Sequence, residues 1–393
     1  MKEHPPWILP VIIASQFMGT SLWFAGNAVL GDLQRQWGLE AGALGYMTSA
    51  VQLGFIGGTL AFAFFAVSDR FSPRLVFFSC SALGALANLG PYLLPGGFES
   101  LLVSRFLTGF FLAGIYPVGM KIASGWYQRG LGNAIGFLVG ALVLGTAFPH
   151  LLKSLDYGLP WQAVTIAVSL IAAVGGLAML SFVPDGPHLV PGAKFDPRAL
   201  AVIFRSPRFR ASAFGYFGHM WELYAFWAFV PVVLAGHIGK NAGAALDVSF
   251  WAFCIIAAGA LGCAGGGLVS LRTGSAPVAF WQLSASGLCC LLSPLLFGAP
   301  TPVYLAFLTF WGIVVVGDSP QFSTLNALNA PRELVGSALT IANCIGFAIT
   351  IFSIQLLNGL AGLVPASYLF LPLTVGPVLG LIALMPLMRT KTA

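Results

Sequence analysis

Polar residues along this chain gather in short clusters, and between the clusters run stretches of about 20 residues that are almost wholly apolar. Twelve such stretches can be marked: 7–30, 43–66, 75–94, 100–123, 131–152, 161–183, 211–235, 249–271, 276–297, 302–325, 335–357 and 366–388. Their length and unbroken hydrophobicity fit a bilayer core. In lipid each unpaired backbone N–H or C=O costs several kcal/mol, so a spanning segment must be a helix or a strand of a closed barrel, and runs this long and this uniform predict helices. The expected fold class is therefore an all-α integral membrane protein with twelve transmembrane helices.

The gaps are short except at 184–210, a longer basic stretch halfway along the chain. It predicts an N-terminal six-helix half over 1–183, a linker over 184–210, and a C-terminal six-helix half over 211–393. Within the linker, PRALAVIFR is expected to form a short amphipathic helix on the membrane surface, its arginines towards anionic headgroups. The halves also repeat each other. AVSDRFSPR (66–74) after the second span aligns with GLVSLRTGS (267–275) after the eighth, bringing Arg70 onto Arg272 at an offset of 202. GIYP (114–117) aligns with GDSP (317–320), and Arg129 with Arg332, at an offset of 203. Matches at nearly one offset imply a parallel repeat of six helices.

Composition strengthens the membrane reading: 58% of residues are hydrophobic and 8% charged, against about 25% charged in soluble domains. Charge then gives orientation. With an even number of spans, one side carries Lys2, Arg70, Arg74, Arg129, Lys194, Arg198, Arg205, Arg208, Arg210, Arg272, Arg332, Arg389 and Lys391, and the other only Arg35, Lys153 and Lys240. The positive-inside rule predicts cytoplasmic termini and an inner-membrane location. The net charge of +6 is thus mostly topology, and no nucleic-acid partner is expected. The apolar run behind MKEHPP is long and has no clear cleavage site, so it is expected to be the first span rather than a removed signal peptide. All six cysteines fall within predicted spans without metal-ligand spacing, which predicts small core hydrophobes and no metal site.

The chain resembles the major facilitator superfamily. The 6+6 layout carries the resemblance, with a degenerate form of the family's loop motif after the second span (Ser68-Asp69-Arg70 and Arg74, lacking the leading glycine) and the Arg105-x-x-x-Gly109 pattern in the fourth. Parts such as AGIYPVGMK and GHMWELYAFW are similar to the branch grouped with nitrate/nitrite and cyanate porters, which would imply a small anion. The nitrate-binding arginines of spans 2 and 8 are missing, however, which argues against nitrate itself. The resemblance implies that spans 1, 4, 7 and 10 line a central cavity, that 2, 5, 8 and 11 meet at seams, and that 3, 6, 9 and 12 lie outside.

The costly residues fall in the implied cavity helices: Arg105 in span 4, Glu222 in span 7 and Asp318 in span 10. An ionised group at a helix centre costs roughly 2.5 to 3.5 kcal/mol on insertion scales. At about 1.5 Å of rise per residue, Glu222 lies near the middle of its span, Asp318 roughly 6 Å towards the cytoplasm and Arg105 roughly 9 Å towards the outside. His219 stands three residues before Glu222, on the same helical face, so the imidazole is expected either to exchange a proton with the carboxylate or to form a self-neutralising pair with it. Lys121 is expected either to reach towards Asp318 or to extend to the headgroups. Trp23, Tyr116 and Tyr224 offer aromatic surface, and Asn27 and Gln321 hydrogen bonds, to a bound solute. Asp69, Arg70 and Arg74 are gating candidates, through charge-assisted bonds between halves or else as simple positive-inside anchors. Pro117 and Pro320, at matching places, are expected to kink their helices. Glycines 54, 57 and 58, 136, 140 and 145, and 265 to 267 are expected to permit close helix contact. His150 and Lys153 are expected at the outer interface.

No Walker loop and no His-Glu-x-x-His motif occurs, which excludes ATP-driven transport and intramembrane hydrolysis as the sequence presents itself. The expected function is a secondary active transporter, not an enzyme, working by alternating access as a monomer without cofactors. It would move a small organic or inorganic solute, leaning anionic, with coupling to protons. A proton-driven efflux pump for amphipathic compounds is the alternative, and a non-transporting receptor a third.

Overall fold

The computed structural model describes residues 5–94, 96–127, 131–155, 158–189, 195–240 and 246–389, with side chains at all of these except 131–133 and 389. Of the residues used for orientation, Lys2, Arg129, Lys194 and Lys391 lie outside the described set. The chain divides into two compact units, Met1–Phe195 and Asp196–Ala393. Among the described residues both are built from helices without strands.

The first unit runs α1 (Ile8–Thr20), α2 (Ala25–Trp37), α3 (Ala43–Phe64), α4 (Val67–Arg70), α5 (Pro73–Asn88), α6 (Gly90–Leu93), α7 (Phe98–Leu112), α8 (Tyr116–Trp126), α9 (Leu131–Ser154) and α10 (Trp161–Phe182). The second runs α11 (Ala199–Ile203), α12 (Pro207–Lys240), α13 (Val248–Thr273), α14 (Ser275–Leu296), α15 (Thr301–Gly317), α16 (Ser319–Asn329), α17 (Val335–Leu360) and α18 (Val375–Arg389). Successive pieces join into longer runs, so that among the described residues eleven helices are long and apolar enough to cross a membrane. The predicted span at 75–94 is represented by α5, 16 residues long, and the single turn α6. The helix pauses at Leu89, just before Gly90-Pro91, because a proline cannot continue the N–H ladder of the preceding turn.

Other boundaries have equally local causes. Gly38 ends α2 in the left-handed conformation (φ 64°). Asp247 caps α13, its carboxylate accepting from Phe250 N at 3.0 Å. Between α1 and α2 the hydroxyls of Thr20 and Ser21 donate back to the carbonyls of Gln16 (2.7 Å) and Met18 (2.6 Å), a pattern that bends helices. The breaks between α7 and α8 and between α15 and α16 place Pro117 and Pro320 in the first turn of the following helix, at the predicted offset of 203. The linker segment does contain a short helix, α11, but Leu200 and Val202 are exposed while Ala199 and Ile203 are buried.

Within each unit the helices pair in the same way: α3 with α7 and α13 with α15, α1 with α10 and α12 with α18, α1 with α9 and α12 with α17, α5 with α10 and α14 with α18. The repeat extends to single backbone contacts. A Cβ on Gly109 would stand 2.0 Å from the Val51 carbonyl oxygen and one on Gly58 2.2 Å from that of Phe110. In the second unit Gly312 meets Ile255 O at 1.9 Å and Gly262 meets Ile313 O at 1.9 Å. In both units glycines therefore let two rods touch main chain to main chain. Gly54 and Gly145 behave as expected from sequence, whereas Gly265 and Gly267 have nothing within 4 Å, and Gly262 does the close packing of α13 instead.

Candidate functional site

The second unit concentrates its buried acidity at one place. Among its described residues Glu222 and Asp318 are the buried carboxylates, both with no exposed surface, and His219 is equally enclosed. His219 and Glu222 come from the middle of α12, where every residue from Gly218 to Val230 except Trp221 is buried. Asp318 is the residue between α15 and α16, placed there by the break that Pro320 enforces. At that position its carboxylate lies at the N-terminal end of the α16 dipole, where negative charge is favoured.

The imidazole Nδ1 of His219 is 2.8 Å from Oδ1 of Asp318. The partner of His219 is thus Asp318 rather than Glu222, which corrects the expectation drawn from their three-residue spacing. A spacing of three shares a face only to within about 60°, enough for the two side chains to meet different neighbouring helices. Glu222 points to α14, where Cys290 Sγ donates to its Oε2 at 3.5 Å and Ser286 supplies a second hydrogen-bonding neighbour. Ser286 Oγ also accepts from the indole of Trp311 on α15 at 3.0 Å. Oε1 of Glu222 has no hydrogen-bond partner. His219 thus joins Asp318 directly and stands three residues from Glu222 on the same helix. Phe322 and Tyr216 pack against the His219 ring, at 5.8 and 6.1 Å between centroids, and fix its orientation. Gln321, in the first turn of α16, is buried at 3% exposure. Tyr224 packs on Trp227 and Phe347, both 5.3 Å away, on another face of α12.

The first unit holds a different group. Arg105 on α7 is 1% exposed. It donates to the Asn88 side-chain oxygen, to Thr108 Oγ1 at 3.2 Å and to the Leu22 carbonyl at 3.4 Å, and its Nε has no partner. Asn88 is held in turn by Ser169 Oγ (2.9 Å) and the Thr165 carbonyl (3.2 Å) of α10. These acceptors are all neutral, which leaves a buried guanidinium whose charge is solvated by dipoles. Trp23 is buried against Phe55 at 5.0 Å. Asn27 donates to Thr48 Oγ1 at 2.9 Å and keeps partial exposure. Tyr116 opens α8 and is also half-buried.

Of the gating candidates, Asp69 is bound by the ammonium of Lys121, which also donates to the Ser68 carbonyl at 2.7 Å. That contact replaces both expectations for Lys121. Arg74 lies 3.9 Å from Asp185 and donates to the Leu180 carbonyl at 3.4 Å, while Arg70 is exposed. Ala66, just before this turn, is the one non-glycine among the described residues at positive φ (50°). At the far end Lys153 pairs with Asp32 at 2.6 Å, as an interfacial residue would, but His150 is 2% exposed and belongs to the core. The six cysteines are free, and no cluster of metal-binding side chains occurs among the described residues. Sequence reasoning missed Asn88, Ser286 and Cys290; a polar residue in an otherwise apolar span was the available signal for each.

The sequence profile of the Major Facilitator Superfamily matches residues 11–354. The uncharacterized transporter YgaY of Escherichia coli, in strains K12 and O157:H7, is 26% identical over 187 residues. That match covers 45% of this chain and 45% of the relative, so it spans less than half of the curated relatives' length. Among solved structures the crystal structure of the human organic anion transporter MFSD10 (TETRAN) superposes with a TM-score of 0.72 over 97% of this chain and 100% of that one, at 15% identity. Such a likeness is one of fold.

Proposed function

We propose that this chain, which belongs to the major facilitator superfamily, is a proton-coupled secondary transporter of a small anion, working by alternating access in the inner membrane with both termini in the cytoplasm. The coarser part, a multi-pass membrane transporter, follows from the family and the fold. The finer part rests on one observation: the contact of His219 with Asp318 beside a fully enclosed Glu222. Ionised groups are costly at that depth, and taking up or losing a proton is the simplest way to change the cost during a cycle. Histidine is the side chain whose proton exchanges most readily near neutral pH. Glu222 is the leading carrier, with His219 and Asp318 as its relay.

An anionic solute is supported by Arg105, whose buried charge meets only neutral acceptors, and by the fold shared with a structure described as an organic anion transporter. Trp23, Asn27 and Tyr116 in the first unit, and separately Tyr224 and Gln321 in the second, are proposed as solute contacts. Asp69, Arg70 and Arg74 would gate by exchanging partners as the conformation changes. The domain limits 1–183, 184–210 and 211–393 and a monomeric state belong to the same reading.

The test begins with a thermal-shift screen of the purified protein against carboxylates, inorganic anions and lipophilic cations. The stabilising compound is then followed into liposomes containing a pH-sensitive dye. Compound-dependent acidification of the lumen is expected, with loss of accumulation in Glu222→Gln. Accumulation at constant internal pH would remove proton coupling, and stabilisation by lipophilic cations alone would replace the anion transporter with an exporter of amphipathic compounds.

A further inference from the structure

An apolar groove of about 560 Å³ opens on the second unit between α12, α17 and α18. Its floor is the crossing of α12 and α18, where a Cβ on Gly218 would stand 2.4 Å from the Gly376 carbonyl and one on Gly376 2.5 Å from that of Gly218. Because the backbones touch there, the large side chains around the crossing stand above it as walls. Phe214, Phe217 and Trp221 come from α12, Ile349 and Phe352 from α17, and Leu379 from α18. The wall is open outward, with Phe352 70% and Leu379 60% exposed.

The α12 side of this wall continues into charge. Arg210, Phe214, Phe217 and Trp221 follow at spacings of four, three and four, hence along one face of the helix. At about 1.5 Å per residue the stripe is roughly 16 Å long, which matches one leaflet of a hydrocarbon core about 30 Å thick. Arg205, Arg208 and Arg210 at its polar end are all exposed, and residues 197–210 hold four arginines and no acidic residue. Arg210 donates to the Phe204 carbonyl at 3.0 Å, and the Phe204 ring stacks on Phe214 (6.1 Å, 18°), so the end of α11 closes the charged end of the groove. Arg208, two residues before Arg210 and so on nearly the opposite side of α12, donates instead to Asn329 of α16 at 3.1 Å and stands off the groove.

We propose that this groove is a binding site for an anionic phospholipid of the bilayer, one acyl chain lying along Phe214, Phe217 and Trp221 and the phosphate at Arg210. Basic groups joined to an apolar channel one leaflet long fit that molecule in both charge and length. A zwitterionic lipid would fill the channel but set its own ammonium against the arginine, and a soluble anion would meet the arginine without the channel.

Fluorescence quenching by phospholipids brominated on the acyl chain tests the assignment, with the Trp221 signal isolated by difference against Trp221→Phe. Brominated phosphatidylglycerol is expected to reach half-quenching at about a fivefold lower mole fraction than brominated phosphatidylcholine for each arginine engaged. R210Q is expected to abolish the difference, and R208Q, off the groove, to leave it. Equal quenching by the two lipids overturns the proposal. So does absence of quenching by either, the result expected if a second copy of the chain covers the groove, and so does recovery of fluorescence on adding inorganic phosphate. Native mass spectrometry of lipid retained by the wild type and by R210Q gives the same comparison without altering Trp221. Neither readout depends on transport, so the outcome is separate from that of the proton-coupling test.

Discussion

Arg105 is held by Asn88, an amide, where a buried guanidinium would ordinarily meet a carboxylate. The amide orients the arginine without cancelling its charge, and Asn88 is itself fixed by Ser169 and Thr165. The first unit therefore keeps a net positive charge in its interior, at a position its own helices predetermine.

Two substitutions at Asn88 separate orientation from charge. Asn88→Asp retains an acceptor for Arg105 and, on the proposed function, is expected to leave a folded, monodisperse protein while lowering solute uptake at least tenfold, because the guanidinium is neutralised. Asn88→Leu removes the acceptor and strands a buried charged donor, which is expected to cost about 1 to 3 kcal/mol of stability or more. Size-exclusion chromatography with thermal unfolding, alongside uptake, checks the pair. Full uptake in Asn88→Asp would show that the free charge of Arg105 has no part in transport.

Asp318→Asn and Glu222→Gln are expected to differ. Glu222 is held only weakly, by a thiol and a hydroxyl, so Glu222→Gln is expected to preserve exchange of labelled for unlabelled solute while losing gradient-driven accumulation. Asp318 is the direct partner of His219 and stands at the start of α16, so Asp318→Asn is expected to reduce both activities and to lower thermal stability. Counterflow and accumulation measured on the same liposomes distinguish the two.

The paired glycines predict equal sensitivity in the two units. Gly109→Ala and Gly312→Ala each place a methyl about 2 Å from a carbonyl oxygen of the neighbouring helix. Neither backbone can yield as a side chain would, so each is expected to cost at least the 1 to 3 kcal/mol typical of overpacking. Gly267→Ala, with nothing within 4 Å, is expected to be neutral. The fraction of monodisperse protein after mild heating is the measure.

Ala66 offers a change in the opposite direction. Its left-handed conformation (φ 50°, ψ 42°) is disfavoured for an L-residue by roughly 1 to 2 kcal/mol, offset in part by the greater chain entropy of glycine when unfolded. Ala66→Gly is expected to raise Tm by about a degree or two without touching the Lys121–Asp69 pair three residues on.

The spans, the division into two repeats and the breaks at Pro117 and Pro320 were legible because each is written locally, in runs of apolar residues or in a ring that lacks an N–H. The site was legible in its members but not in their pairing. His219 and Glu222 share a helix face, and only the packing of α12 against both α14 and the α15–α16 break turns one towards Asp318 and the other towards Cys290. Likewise nothing near Arg105 in sequence points to Asn88, 17 residues earlier on another helix. The span at 75–94 reads as one apolar run because Leu89 and Gly90 carry no polarity, yet Pro91 interrupts it.

The backbone notches at Gly58 and Gly109, and at Gly262 and Gly312, also have a mechanical meaning. Two rods meshed carbonyl against glycine at successive turns cannot slide along each other without driving main chain into main chain. Each pair is therefore a welded joint, so that bending within either unit is left to the interrupted turns around Ser21–Phe24, Ala113–Ile115 and Asp318.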